Sequence, residues 1–442
     1  MESVKNIYIE TYGCVANQNN SEIISGLLAR AGFNMVNNEK IADLAILNTC
    51  IVKGPTLQRM ESRIKDLRKR FKKIIVTGCM PDVFPGQILQ IAPNAILLSN
   101  HKIKDITKII KDIIENKIIS AKPIKEHEIK LLCPKNRRNP VIGTTQISEG
   151  CTGNCAYCVT RLAKGSLFSY PEQEILKNIE RDLQAGCKEI WITAQDTAAY
   201  GIDKNKKSQL PKLLKKILGL KHNFILRMGM SNPNHILPIL PELIECYQSK
   251  KMFKFLHIPL QSGSNEMLKK MNRYYKAEDF LKICGEFRKK IPEMTISTDV
   301  ILGFPGETEG DFQKTLRAIE KIRPEIINLS RFWPMPKTPA SKIRERIPDR
   351  AVMRRSKILK ELFVKFAIEK NKKYIGRKIE VLADEKGSGF TWIARSQEYK
   401  GVVIASKEKL LGEKIAVIIK SATPQYLIGE IIRNNPENKK TD

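Results

Sequence analysis

Ser148-Glu-Gly-Cys151-Thr-Gly-Asn-Cys155-Ala-Tyr-Cys158 puts three cysteines on one short loop, at a three-then-two spacing. A structural zinc site closes with four ligands and normally pairs two separated knuckles. Three thiolates instead suit a cuboidal iron–sulfur cluster with one iron left open. An open iron beside a cofactor is a reactive site. Incidental buried cysteines are the bland alternative. The chain has only 10 cysteines in 442 residues, and this loop is otherwise glycine and small or polar residues.

Upstream of the loop, short apolar runs alternate with helical patterns. Strands are expected at 6–10, 44–48, 74–77 and 95–98, and helices at 21–31, 56–71 and 104–116. That rhythm predicts an α/β domain with a doubly wound parallel sheet, whose ligands bind at the C-terminal strand ends. Cys14, Cys50 and Cys79 each follow a different expected strand. A lone cysteine is often a small core hydrophobe. Three at equivalent topological positions predict a second incomplete set of thiolates.

Between 120 and 140, prolines and basic residues break the pattern and predict a linker, with Cys133 a free thiol. From 141 to about 348, six strand-like runs separated by helices predict a partial (β/α)6 barrel, with its chemistry at the C-terminal mouth. The runs are 143–147, 189–193, 224–228, 255–258, 296–302 and 326–329. Gln195, Asp196, Arg227, Gln261, Ser262, Asp299 and Arg331 fall at that mouth. Gly303, Pro305 and Gly306 suit a turn. Histidines 101, 127, 222 and 235 read as surface or loop residues, and His257 as a core residue.

A basic amphipathic helix at 350–374 precedes five short strands, which predict a small antiparallel β-barrel. The expected boundaries are 1–119 for the first domain, 120–140 for the linker, 141–371 for the central domain, 372–434 for the barrel and 435–442 for a disordered tail.

Lys and Arg total 77 against 47 Asp and Glu, a formal charge of +30. That excess points to a polyanion, most simply a nucleic acid. With 42% hydrophobic and 28% charged residues the chain reads as globular. No secretory leader and no apolar run long enough for a membrane span is visible, so a reducing cytoplasm is expected and a membrane partner is not.

The cysteine loop is similar to that of the radical S-adenosylmethionine (SAM) enzymes. The chain as a whole resembles the radical-SAM tRNA methylthiotransferases. The likeness rests on Tyr12-Gly-Cys14, Asn48-Thr-Cys50, Thr77-Gly-Cys79, the 151–158 loop, His257-Ile-Pro-Leu-Gln-Ser-Gly-Ser264 and Gly303-Phe-Pro-Gly-Glu-Thr308. The family's C-terminal TRAM barrel completes the order of parts. Val52-Lys-Gly-Pro-Thr56, Leu167-Phe-Ser-Tyr-Pro171, Gln195-Asp-Thr-Ala-Ala-Tyr-Gly201 and Arg227-Met-Gly-Met-Ser-Asn-Pro-Asn-His235 are similar to the archaeal and eukaryotic branch. That branch acts on N6-threonylcarbamoyladenosine at position 37.

The resemblance implies two [4Fe-4S] clusters, one on Cys151, Cys155 and Cys158, the other on Cys14, Cys50 and Cys79. It implies SAM at the barrel mouth, with Tyr157, Gln195, Asp196, Arg227, Gln261, Ser262 and Asp299 as candidate contacts and Arg227 as a partner for its carboxylate. The implied partners are a tRNA anticodon stem-loop, an electron donor and a sulfur donor. Tyr399, Trp392, Phe390 and Tyr426 are candidate stacking faces for RNA. Two positions depart from the family pattern: Asn20 stands where Asp is usual, as a possible helix cap, and Lys164 stands where Arg is usual. Isopentenyladenosine, a ribosomal-protein aspartate, and a non-catalytic iron–sulfur or zinc RNA-binding protein are the competing readings.

Overall fold

The run Leu44-Ala-Ile-Leu47 lacks any polar alternation because both of its faces are buried. The computed structural model describes residues 4–115, 117 and 126–433. Residues 120–125 of the expected linker and the expected tail at 435–442 lie outside the described residues.

The N-terminal domain is a parallel sheet of β1 (Asn6–Thr11), β2 (Asn34–Val36), β3 (Leu44–Thr49), β4 (Ile74–Gly78) and β5 (Ile96–Leu97), in the order β2-β1-β3-β4-β5. Leu44 and Ile46 join Ile23 and Leu28 of helix α1 (Val15–Arg30) on one face. Ala45 and Leu47 join Met60 and Ile64 of the helix Gly54–Arg70 on the other. This is the expected doubly wound sheet. Its strand order reverses between β1 and β3, which opens a crevice at their C-terminal ends.

Two details differ from the sequence reading. Strand β2 was not expected: it is three residues at the sheet edge, too short to show a period. Helix α1 begins at Val15, directly after Cys14, and not at Ser21. Its first turns are rich in asparagine, which has low helix propensity, but Asn17 and Asn20 are buried and bonded across the domain. Asn20 therefore lies inside the helix and is not its cap.

The segment from 126 to 140 is a packed strap rather than a loose linker. Asn136 N–H donates to the Glu22 carbonyl at 2.9 Å, and Arg137 reaches Asp182 at 2.5 Å. Cys133 is a buried free thiol.

The central domain carries β6 (Ile142–Gln146), a small antiparallel pair β7 (Ser148–Glu149) and β8 (Phe168–Ser169), then β9 (Glu189–Thr193), β10 (Ile225–Met228), β11 (Phe255–His257), β12 (Thr295–Leu302) and β13 (Ile326–Arg331). The six barrel strands form two parallel three-stranded sheets, β10-β9-β6 and β11-β12-β13. A single bridge, Leu226 to Met252, spans the seam, because β11 is only three residues long. Gly303 and Gly306 both have positive φ, as the expected turn requires. Glu307 in that turn is buried and paired with Arg355 at 2.7 Å, which ties it to the long basic helix Asp349–Lys372.

The strands β14 (Lys378–Lys386), β15 (Thr391–Ser396), β16 (Gly401–Ala405), β17 (Lys414–Ala422) and β18 (Leu427–Ile431) close into the expected five-stranded barrel, antiparallel except for the parallel pair β16–β18. It docks at the N-terminal end of β11, where Lys254 N–H donates to the Gln397 carbonyl at 2.8 Å. The site-bearing mouth at the opposite strand ends is left to the N-terminal domain. Trp333, just past β13, packs so closely on Gly54 that a Cβ there would stand 2.0 Å from Nε1. Among the described residues no helix is long and apolar enough to cross a membrane.

Candidate active site

The loop carrying Cys151, Cys155 and Cys158 is built by short-range bonds and then clamped by the barrel. Cys151 N–H donates to the Gly165 carbonyl at 3.2 Å, Gly153 N–H points at Cys151 Sγ at 3.2 Å, and Cys158 N–H donates to the Cys155 carbonyl at 3.0 Å. From the segment after the helix Asn265–Lys270, Asn272 donates to the Asn154 carbonyl at 2.7 Å, and Arg273 Nη1 points at Cys155 Sγ at 2.9 Å. Arg273 also bonds Asn232. Burial pushes the Cys151 thiol up to about 12 and raises Cys158 as well. Thiols so placed ionise only against a strong positive charge, which a metal supplies.

The other three cysteines meet at the switch point of the N-terminal sheet. Cys14 is the residue that caps α1, Cys50 follows β3, and Cys79 opens the helix Cys79–Val83 after β4. A sulfur at the start of a full-length helix such as α1 sits in a favourable field for negative charge. Gly13 has φ +107°, and a Cβ on it would stand 2.8 Å from Cys50 Cβ and 3.1 Å from its Sγ. Gly78 has φ +86°, and a Cβ there would strike the Thr49 carbonyl at 2.3 Å. Each glycine directly precedes a cysteine, and each allows a close approach that any side chain would block. Thr49 Oγ1 donates to the Thr77 carbonyl at 2.6 Å and accepts from Met80 N–H at 3.1 Å, so one hydroxyl holds the ends of β3 and β4 together. Asn17 donates to the carbonyls of Tyr12 and Thr49, which ties β1 to β3 in the same way. Burial pushes Cys79 up to about 12, against the pull of the Lys164 ammonium; the charges of Cys14 and Cys50 add to the rise.

Lys164 joins the two halves. It ends the helix Thr160–Lys164 that follows the 151–158 loop, and it is 1% exposed. Its ammonium bonds Asn100 Oδ1, which also accepts from Asn20 Nδ2 at 2.9 Å. The two departures from the family pattern thus converge on one amide. Burial works against the Lys164 charge, but Cys79 and Glu149 overcome it and hold the ammonium above its ordinary value. Val159 and Ala163 share an apolar cluster with Cys79, Met80 and Val83, so the helices after the two cysteine sets pack together. Glu22 turns instead to the strap, where its carboxylate accepts from Arg138 N–H at 3.4 Å.

The barrel-mouth candidates separate into groups. Asp196 is fully buried and accepts from Asn232 N–H at 3.1 Å, Asn232 Nδ2 at 2.6 Å and His235 Nδ1 at 2.6 Å. His235 Nε2 in turn lies 3.3 Å from Thr152 Oγ1. Asp196 therefore organises the loop that supports the cysteines. Gln195 and Gln261 each leave a buried amide oxygen unpartnered. Gln261 also holds φ +62°, a costly conformation for a non-glycine residue. Asp299 is bonded by His257 at 3.0 Å and by Asn328 at 2.9 Å; burial pushes its carboxyl up, but the His257 bond and charge win and hold it below the usual range. Tyr157 packs edge-on against Phe304, and burial raises its phenol. Ser262 is buried, with its hydroxyl beside Thr315 and accepting from Ser264 N–H, so it braces its own loop. Arg227 lies among Trp191, Phe255 and Tyr399, with its guanidinium 4.7 to 5.1 Å from the ring centres. Tyr399 belongs to the docked C-terminal barrel, so this stack faces that interface.

Arg273 was missed because its partner is 118 residues away in the chain. The reading of His101, His127 and His235 as surface or loop residues is corrected. His101 is 3% exposed, and the other two are partly buried and bonded. Each packs against a distant segment, which no local pattern reveals.

The structure divides the aromatic candidates in the C-terminal barrel. Trp392 is core and Tyr399 is interface, whereas Phe390 and Tyr426 are 69% and 41% exposed. Beside His235 a cleft of about 870 Å³ is lined by Lys206, Lys207, Lys212, Lys215 and Lys216. The six cysteines carry no disulfide. Two sets of three thiols and two orphaned amide oxygens suit iron–sulfur chemistry and a polar cofactor.

Comparison with known proteins follows this division. The model described as Uncharacterized protein family UPF0004 matches residues 6–99, the Radical SAM superfamily matches 145–319 and the TRAM domain matches 372–432. The chain is 38% identical over 431 residues to a Pyrococcus horikoshii protein named "Probable threonylcarbamoyladenosine tRNA methylthiotransferase", covering 96% of this chain and 99% of that one. It is 33% identical to the Homo sapiens threonylcarbamoyladenosine tRNA methylthiotransferase, over 97% of this chain and 74% of that one. Among solved structures, TsrM from Kitasatospora setae, a radical S-adenosylmethionine methyltransferase with cobalamin and a [4Fe-4S] cluster bound, superposes with a TM-score of 0.58 at 14% identity, covering 77% of each chain. That likeness is one of fold.

Proposed function

The chain belongs to the threonylcarbamoyladenosine tRNA methylthiotransferase family, and from that premise we propose that it converts N6-threonylcarbamoyladenosine at position 37 of tRNA to the 2-methylthio derivative. The observation that carries the reading is that the helix following the 151–158 loop packs on the helix that Cys79 opens, which sets Lys164 beside the N-terminal cysteines. An RNA-binding protein without catalysis has no use for that arrangement.

The C2 hydrogen of adenine is not acidic, so no general base in the chain removes it usefully. In this reading Cys151, Cys155 and Cys158 hold one [4Fe-4S] cluster, and Cys14, Cys50 and Cys79 hold a second. When bound, these groups would supply the electron and the sulfur, and SAM the methyl group and the carbon-centred radical, that the reaction needs. The chain supplies position and charge. Arg273, bonded to Cys155 Sγ, draws electron density from that sulfur. Asp196, through His235 and Thr152, fixes the loop in place. Gln195 and Gln261 offer acceptors to the SAM ammonium or ribose, and Tyr157 and Asp299 line the same mouth. Arg227 and Ser262 act in this reading as supports and not as SAM contacts.

The anticodon stem-loop is held electrostatically. The lysine cleft beside His235 and the basic helix Asp349–Lys372 meet phosphates, while Phe390 and Tyr426 stack on unpaired bases. An electron donor and a sulfur donor complete the set of partners. The test is anaerobic reconstitution and assay on tRNA with and without the threonylcarbamoyl group, read by nucleoside mass spectrometry. A methylthio product only on the threonylcarbamoyl substrate supports the reading; product on isopentenyladenosine, or none with both sites loaded, overturns it.

A further inference from the structure

We propose that His101, His127 and Glu149 form a third metal site, one for a zinc-like dication, at the joint between the N-terminal domain, the strap and the cysteine loop. Their ligand atoms all lie within 4.8 Å of one another. His127 Nδ1 is 3.4 Å and His101 Nδ1 3.7 Å from Glu149 Oε2. Ligands on a tetrahedral zinc stand about 3.3 Å apart when the bonds are about 2.0 Å, so small shifts close the site.

The outer bonds select these three atoms. His101 Nε2 meets the Ala163 carbonyl at 2.9 Å. A carbonyl only accepts, so Nε2 carries a proton, and in the Nε2–H tautomer Nδ1 is a bare lone pair. That Nδ1 is buried, without a hydrogen-bond partner, and turned toward a carboxylate oxygen. With the ring in that form two acceptors face each other, and a cation between them would join them. Glu149 is fully buried, and its Oε1 is taken by Lys130 and by Gln146 Nε2 at 3.1 Å, which leaves Oε2 to the imidazoles. An imidazole that donates its far N–H to a backbone carbonyl, beside a carboxylate held by a second residue, is the usual outer shell of a metal ligand. Phe168 stacks on His127 at 5.2 Å and keeps its ring in place. The ammonium of Lys130 bonds Glu149 and that of Lys164 adds its charge, so a bound ion shares the carboxylate with them.

Two nitrogens and one oxygen suit zinc, whereas the iron–sulfur sites require thiolates, so the two chemistries are separable. The bound ion would pin the N-terminal domain to the cysteine loop two residues before Cys151. This inference is independent of the assigned reaction: its failure leaves the methylthiotransferase reading intact, and the reverse also holds.

The experiment uses full-length protein with its iron–sulfur sites loaded anaerobically, washed with EDTA and then equilibrated with zinc. The expected result is about one zinc per chain with nitrogen and oxygen scatterers near 2.0 Å and no sulfur shell near 2.3 Å in X-ray absorption. His127→Ala should lose the zinc and keep the iron. Should that variant fail to fold, the wild-type melting temperature decides, because a bound zinc must raise it and chelation must reverse the rise. No zinc retained, zinc with sulfur neighbours, zinc unchanged in folded His127→Ala, or a melting temperature indifferent to zinc would each overturn the proposal. The two histidines would then be an ion-paired partner of Glu149.

Discussion

The two cysteine sets have the same donors and opposite construction. Cys151, Cys155 and Cys158 lie within one loop, closed by the Cys158–Cys155 backbone bond and by Cys151 N–H on the Gly165 carbonyl. Cys14, Cys50 and Cys79 come from three strand ends, and they meet only because β1, β3 and β4 are adjacent in the sheet. The first set needs its barrel mainly for orientation, through Asn272 and Arg273. The second exists only while the sheet does. Glycines at positive φ and the Thr49 hydroxyl do for it what sequence proximity does for the loop.

The sharpest way to break this comparison is Cys155→Ala. It should abolish SAM cleavage and remove roughly four of about eight irons per chain, as read by iron analysis and 5′-deoxyadenosine release. Cys79→Ala should remove a similar share of iron and abolish methylthiolation, yet leave SAM cleavage within about threefold of wild type. Equal loss of cleavage in both variants would mean that the sets are not functionally distinct.

Neutralising Lys206, Lys207 and Lys212 together should weaken tRNA binding about tenfold at moderate salt and flatten its salt dependence, without touching either iron content. A filter-binding series over salt concentration measures both. Arg273→Lys addresses only the loop set. Without the guanidinium bond to Cys155 Sγ, its reduction potential should fall by some tens of millivolts, seen in a dye-mediated titration, with the other set unmoved. The smallest expected effect is Thr49→Val. Loss of one buried hydroxyl bridge should cost about 1–2 kcal/mol by denaturant melt and lower iron retention in the N-terminal set alone.

Much of this was legible before any coordinates. The order of domains follows from apolar periodicity, and the 151–158 loop from cysteine spacing, because both are local patterns. Cys14, Cys50 and Cys79 were legible one level up, since each follows a strand-like run and parallel sheets gather such ends. The seam between β10 and β11 was not legible, because a three-residue strand carries too little pattern to show where a sheet breaks. Nor was the start of α1, where Asn17 and Asn20 offset low helix propensity with bonds to the Thr49 carbonyl and the Asn100 side chain.

The sequence alone determined which residues carry thiols, how many domains there are and that their partner is a polyanion, since composition and short-range spacing are properties of the chain itself. Only the tertiary structure decided that Lys164 lies beside Cys79, that Arg273 meets Cys155, that Arg227 is engaged by aromatic rings, and that two histidines and a glutamate share one buried corner. Each of those pairings joins segments far apart in the chain, and the burial that brings them together depends on the packing of whole domains.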